Sequence, residues 1–113
     1  MEINFKDTKL EKIFNCERDI CRKFGPECAR EIMRRMAVLH AANSLADVTH
    51  NPPERRHQLS GNLDNHFTVD AKHPKRLIFI PNHNPLPRRD DGGLDLTRIT
   101  AITIVEVRDY HGK

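Results

Sequence analysis

The sequence is poor in aromatic residues. Its 113 residues contain no tryptophan, one tyrosine and five phenylalanines. Proteins that bind single-stranded nucleic acid by stacking need several exposed aromatic side chains, and most of these phenylalanines occupy core-facing positions. Long apolar runs are absent too: no stretch approaches the roughly 20 residues of a membrane-spanning helix. The acidic start MEINFKD is unlike a signal peptide, so a cytoplasmic location is the default expectation.

Cysteine is scarce, and the common catalytic motifs are absent. The three cysteines lie in the first quarter of the chain without a CxxC pair, which predicts reduced thiols that fill small core spaces. There is no glycine-rich phosphate loop, GxSxG or HExxH motif. The histidines are not placed at zinc-ligand spacing. These absences disfavour nucleotide hydrolysis by a P-loop, serine hydrolysis and a metal site.

The composition is that of an ordinary soluble domain. Hydrophobic residues make up 37% and charged residues 31% of the chain, and the length predicts a single domain over residues 1–113. The formal net charge is +3, and seven histidines can add positive charge at mildly acidic pH. This balance permits nucleic-acid binding without requiring it.

The N-terminal part predicts a strand followed by two helices. EINF alternates as a strand over residues 2–5, and residues 9–24 carry apolar side chains at helical spacing. Gly25 and Pro26 end this helix and begin another. The apolar stripe of the second helix consists of Cys28, Ile32, Met36 and Leu39. The charged residues between them are predicted to form a solvated face: Glu27, Arg30, Glu31, Arg34 and Arg35.

The C-terminal part predicts a β-meander. Strand-like patterns cover residues 56–59, 66–71, 75–81 and 98–109. Short turns between the first three imply antiparallel pairing, and the last, most β-branched strand is expected at the centre. Residues 82–97 are predicted to be a long functional or mobile loop. The expected architecture is α+β, with the helical hairpin on one face of a curled, mainly antiparallel sheet.

Ionisable side chains cluster at the predicted strand ends. They are Arg55, Arg56, His57, Arg76, Asp109, Tyr110 and His111. In a meander these positions converge at one sheet edge, where arginine can bind phosphate and histidine can move a proton. RNA supplies its own nucleophile, the 2′-OH, so such a site needs no metal.

Simpler interpretations stay open for each of these residues. Arg55 and Arg56 can form a solvated basic pair, and Arg76 can be a gatekeeper charge on an edge strand. His111 can belong to a disordered tail. The remaining histidines are interpreted as surface or loop residues: His40, His50, His73 and His83.

Four segments in order carry a resemblance to a known family: HQLSGN (57–62), HPKRLIF (73–79), DDGGLDLTRITAITIVEV (90–107) and DYH (109–111). The chain resembles the RelE/ParE superfamily of bacterial toxins, and most closely its HigB group. The resemblance implies a RelE-like fold and a type II toxin that cleaves mRNA in the ribosomal A site. Attack by the 2′-OH would leave a 2′,3′-cyclic phosphate without metal or cofactor. The implied partners are a helix-turn-helix antitoxin of the HigA type, the ribosome and mRNA.

The resemblance also assigns roles to residues. His111 would be the principal proton-transfer residue and His57 a second acid/base, while Arg76 would bind the scissile phosphate. Tyr110 would position phosphate or base, and Asp109 would orient its neighbours.

The family usually has a lysine where this chain has Ser60, and a basic residue where it has Leu63. Four residues are the candidates to compensate in RNA binding: Arg55, Arg56, Lys72 and Lys75. The alternative is a non-nuclease toxin on the same fold, either a ParE-like gyrase inhibitor or a degenerate chain that only binds antitoxin.

Overall fold

The computed structural model describes residues 1–61 and 64–109. In chain order the elements are β1 (Glu2–Phe5), α1 (Thr8–Phe14), α2 (Glu17–Phe24), α3 (Pro26–Ala41), β2 (His57–Gln58), β3 (Phe67–Asp70), β4 (Lys75–Pro81) and β5 (Ala101–Asp109). Short 3₁₀ turns occupy Leu45–Asp47 and Leu96–Arg98. The predicted α+β architecture is confirmed: helices pack on an open, mostly antiparallel sheet.

The predicted helix over residues 9–24 is in fact two helices, α1 and α2. The chain breaks at Asn15 and Cys16, and Cys16 has an extended backbone. The cause is the apolar spacing: Phe14 and Ile20 are six residues apart, or about 240° around a continuous helix. A straight helix could not turn both toward the core, so the break reorients α2 and buries Ile20.

The predicted solvated face of α3 is wrong at one residue, Arg35, which is only 5% exposed. Its Nε donates to the carbonyl oxygen of Asp70 at 2.7 Å, and a terminal nitrogen donates to Glu31 at 3.0 Å. Arg34 stays exposed and pairs with the same Glu31 at 2.7 Å. A buried arginine is tolerated because its charge is paired and its donors are used.

The strand order across the sheet is β1-β5-β4-β3-β2. β1 lies parallel to β5, and the other neighbours are antiparallel. The last strand, β5, was predicted at the centre of the sheet. It is an interior strand, but β4 occupies the centre, because β3 and β2 lie on one side of β4, and β5 and β1 on the other. Arg76 therefore starts a central strand, and its interpretation as an edge gatekeeper is wrong.

One face of the sheet carries the main core. Its fully buried side chains on the neighbouring strands β3, β4 and β5 include Phe67, Val69, Leu77, Phe79, Ile102 and Ile104. Burying each such side chain contributes about 1.5–3 kcal/mol. A register shift in the β4–β5 pairing between Ile78 and Phe79 keeps this apolar set on one side. The opposite face is left for the polar residues of the site.

The connection over residues 82–97 is anchored to the sheet. His83 accepts backbone hydrogen bonds through Nε2 from Thr100 at 3.0 Å and Ala101 at 3.3 Å. Leu94 is buried in the core. Asp95 caps the 3₁₀ turn at Leu96–Arg98, which is why β5 begins at Ala101 and not at residue 98.

The cysteines are free thiols, as predicted. Cys28 lies on α3 and is buried in a core cluster, and burial raises the pKa of its thiol. In the described part of the chain, the helices are too short or too polar to cross a membrane.

Candidate functional site

A cleft of about 290 Å³ is lined by five basic residues: His50, Arg55, Arg56, His57 and Arg76. We call it the basic cleft. Its wall comes from the loop before β2, the start of β2 and the start of β4. Four of these residues were predicted from the sequence to converge at one sheet edge, and the structure brings them together. A concave site whose described lining consists of cationic and imidazole side chains suits an anion such as phosphate.

Cross-strand pairing explains why residues distant in sequence meet here. Asp70 on β3 lies directly opposite Arg76 on β4, which lies opposite Arg108 on β5. His57 on β2 pairs with Thr68, which belongs to the same face as Asp70. Directly opposed residues in antiparallel strands share a face. The polar row therefore stands on the face opposite the main core.

Asp70 contacts two arginines of the basic cleft. Its Oδ1 lies 3.1 Å from Nε of Arg76, and its Oδ2 lies 3.5 Å from Nε of Arg55. The sequence prediction did not include Asp70. The signal was available, because a short turn after Asp70 predicts a hairpin that places this residue opposite Arg76.

Arg108 is the like-charged neighbour of Arg76 across the β4–β5 pair. Its guanidinium donates two hydrogen bonds to Glu106 on the same strand. Nε donates to Oε1 at 2.8 Å, and a terminal nitrogen donates to Oε2 at 3.3 Å. Such a fork-to-fork pair is the strong geometry for arginine and a carboxylate. Glu106 thereby reduces the repulsion between Arg108 and Arg76.

Arg55 and Arg56 are consecutive residues, but their side chains make different contacts. Arg55 has a left-handed backbone (φ 49°), which is uncommon outside glycine, and its N–H is held by the Asn51 carbonyl at 2.9 Å. Its side chain is 59% exposed at the cleft. Arg56 donates to the carbonyls of Leu45 and Val48 at 3.0 and 2.8 Å. Burial lowers the pKa of Arg56, but a guanidinium stays charged.

Two histidines face the basic cleft. His57 was predicted as a site residue, whereas His50 was interpreted only as a surface or loop residue. His50 is exposed, as expected, but it also lines the cleft. No sequence pattern indicated this placement, because the loop between α3 and β2 decides where His50 lies. Imidazole is the side chain best suited to proton transfer near neutral pH.

Three other predicted residues within the described chain lie outside this cleft. Lys75 and Arg76 are consecutive on β4, so they point to opposite faces. Lys75 binds Asp109 through Nζ at 2.5 Å, and this hydrogen bond raises the pKa of Lys75. Lys72 lies 3.6 Å from the carboxylate of Glu27. Lys72 and Lys75 line a separate pocket beside Cys28.

Tyr110 and His111 lie outside the described residues, as does Leu63. Ser60 is exposed and follows β2, next to the buried Leu59.

No protein-family model matches the chain, and no curated protein matches it either. Among solved structures, seven chains match. A YoeB/ParE toxin from Agrobacterium tumefaciens superposes with a TM-score of 0.56 at 5% identity, covering 98% of this chain and 100% of that one. The YoeB-YefM complex from Staphylococcus aureus gives 0.54 at 13% identity, covering 98% of this chain and 97% of that one.

A YoeB dimer from Staphylococcus aureus gives a TM-score of 0.52 at 15% identity, with the same coverage of 98% and 97%. The fold is therefore that of YoeB/ParE-type toxins, and the likeness covers nearly the whole length of both chains in each comparison. At these identities the likeness is one of fold. It agrees with the RelE-like architecture that the sequence resemblance implied.

Proposed function

We propose that this protein is the toxin of a type II toxin-antitoxin system, of the HigB group of the RelE/ParE superfamily, and that it cleaves mRNA on the ribosome. One observation carries the proposal: a cleft whose lining, among the described residues, consists of arginine and histidine lies on a fold shared with YoeB/ParE-type toxins. We propose further that residues 1–113 act as one domain in the cytoplasm.

The chemistry follows from an arginine and an acid/base pair around a phosphodiester. The RNA 2′-oxygen attacks the adjacent phosphorus, the bond to the 5′-oxygen breaks, and a 2′,3′-cyclic phosphate and a 5′-hydroxyl result. Arg76 holds the phosphate and stabilises the charge that develops on it. His57 in the cleft and His111 at the C-terminus are the two proton-transfer candidates, with His111 as the principal one. The 2′-OH is the nucleophile, so we propose no metal or cofactor.

The supporting residues are proposed in the roles that the sequence resemblance implies. Tyr110 positions phosphate or base, and Asp109, held by Lys75, orients its neighbours. Arg55 and Arg56 contact RNA from the cleft wall. Lys72 and Lys75 would contact RNA only if it passes over the sheet edge to the helical face.

We propose a cognate antitoxin as the partner that controls this activity, a helix-turn-helix protein of the HigA type. One of the structures with the same fold is a YoeB-YefM complex. The other partners of the proposal are the ribosome and mRNA.

The test is growth arrest and RNA cleavage on induction without antitoxin. Arg76→Ala, His57→Ala and His111→Ala should each relieve arrest and remove the RNA cuts mapped in ribosome-bound mRNA. Arg89→Ala is the matched control, because Arg89 is an exposed arginine paired with Asp91 in the loop after β4. If all three site variants fold and stay fully toxic, the site assignment is wrong.

Ser60 favours a second candidate, a toxin of this fold without nuclease activity. Ser60 is exposed at the position where the family usually has lysine. Induction that stops growth without new RNA ends, while DNA supercoiling changes, would indicate gyrase inhibition. The substitution Ser60→Lys distinguishes a weakened nuclease from a toxin without nuclease activity. In a weakened nuclease it should increase RNA cleavage, and in a toxin without nuclease activity it should leave RNA intact.

A further inference from the structure

Asp70 is an acidic residue at a site built from cations. Its carboxylate spans Arg55 and Arg76, with oxygen-to-Nε distances of 3.5 and 3.1 Å. About a quarter of the Asp70 and Arg76 side chains is exposed. An acid here weakens the attraction of the cleft for an anionic ligand, because like charges a few ångström apart repel. A purely electrostatic phosphate site would be better without it.

The backbone of Asp70 is held from both sides. Its N–H donates to the Glu54 carbonyl at 2.8 Å, and its own carbonyl accepts from Nε of the buried Arg35 at 2.7 Å. Arg35 belongs to α3, so the last residue of β3 is fixed to the helical layer. The carboxylate on the other face of the sheet thus has a rigid base. A rigid acid can fix the orientation of the arginines that it contacts.

Both ion pairs use the Nε position of the arginine. An arginine guanidinium is planar with five N–H donors in a fixed fork, so a contact at Nε sets the direction of the terminal nitrogens. Phosphate recognition by arginine depends on that direction.

We propose that Asp70 is a positioning residue that orients Arg55 and Arg76 for the scissile phosphate, at a cost in RNA affinity. The inference rests on the proposed function of the basic cleft and adds to it a residue that does not touch the reacting atoms. It predicts opposite effects of one substitution on binding and on turnover, which a merely structural role does not.

The experiment compares Asp70→Asn with the wild type in two assays. A short all-deoxy oligonucleotide lacks the 2′-OH and reports binding alone. Asp70→Asn should bind it roughly fivefold more tightly at low salt, because a like charge near the phosphate is removed. The gain should vanish near 1 M salt, where the screening length is only about 3 Å. Turnover of mRNA on programmed ribosomes should fall about tenfold or more, because the arginines lose their fixed direction.

Two further variants make the result specific. Asp91→Asn removes the same charge from a pair of the same geometry, since Oδ1 of Asp91 lies 3.2 Å from Nε of Arg89, and it should change neither assay. Asp70→Glu keeps the charge and changes the reach. Asp70→Glu should leave oligonucleotide affinity within about twofold of wild type and still slow turnover. If Asp70→Asn fails to fold, Asp70→Glu tests the positioning role in its place.

The proposal is overturned if Asp70→Asn weakens binding and turnover together, or if it folds and changes neither. If the wild type cleaves no RNA while Asp70→Asn binds the oligonucleotide more tightly, the nuclease function is wrong and the electrostatic role of Asp70 stands. If the wild type cleaves and Asp70→Asn does not bind more tightly, the nuclease function stands and this inference is wrong.

Discussion

Replacing Arg35 by methionine tests how the helical layer is joined to the sheet. The side chain is 6% exposed and donates to the Asp70 carbonyl and to Glu31. Removing a hydrogen bond from a charged donor costs about 1.5–3 kcal/mol. The lost pair with the partly exposed Glu31 adds about 0.3–0.5 kcal/mol. Methionine fills much of the volume, so we expect a net loss of about 2–3 kcal/mol in the free energy of unfolding.

Arg34→Met is the matched control for this prediction. Arg34 pairs with the same Glu31 at 2.7 Å, but its side chain is 61% exposed. Exposed pairs of this kind contribute little, so the control should lose about 0.5 kcal/mol or less. The assay is urea denaturation followed by far-ultraviolet circular dichroism, because the chain has no tryptophan. Equal losses for Arg35→Met and Arg34→Met would refute the argument that the buried hydrogen bond dominates.

Two further predictions concern a buried hydroxyl and a loop carboxylate. Oγ1 of Thr68 is buried without a hydrogen-bond partner among the described residues, so Thr68→Val should raise the free energy of unfolding by about 1 kcal/mol, measured by urea denaturation. Hydrogen bonds from the Gly93 N–H and Arg89 lower the pKa of Asp91. The stabilisation is therefore present above the ordinary carboxyl pKa and lost as pH falls through the lowered one. The Gly93 amide should therefore lose its protection from hydrogen exchange as the pH falls from the ordinary carboxyl pKa through the lowered one. The exchange rates are first corrected for their intrinsic pH dependence.

Each of these has a clear contrary result. A lower free energy of unfolding in Thr68→Val would mean that the hydroxyl has a hydrogen-bond partner in solution. If the variant keeps its activity, the substitution changes stability alone. In Asp91→Asn the amide of Gly93 should show no such acid-dependent loss of protection. If the wild type and this variant titrate alike, Asp91 does not hold the loop.

The strands illustrate what local pattern can predict. The boundaries of β4 were predicted correctly over residues 75–81; β5 was predicted at the centre of the sheet and is an interior strand, but β4 occupies the centre. Both follow from near-neighbour rules: apolar side chains buried on both faces of a strand, and short turns that pair strands antiparallel. The break between α1 and α2 was missed, although the six-residue gap from Phe14 to Ile20 contained the information.

The basic residues of the site show the limit of such prediction. Arg55, His57 and Arg76 were expected at one edge because strand ends meet there, and the cleft contains all three. Lys75 was expected beside them, yet alternation along β4 turns it to the other face, where it binds Asp109. Strand period could have separated Lys75 from Arg76, but the sheet order was needed to know which face carries the site.

By itself, the sequence determined the α+β class, most strand positions and the cationic character of the strand ends, because these depend on periodicity, turn residues and composition. Only the tertiary structure decided that Arg35 is buried, that His50 reaches the cleft and that Asp70 also contacts Arg55. These facts depend on contacts between elements distant along the chain. Such contacts are set by how the layers pack and by the register of the strands, and no local pattern encodes them.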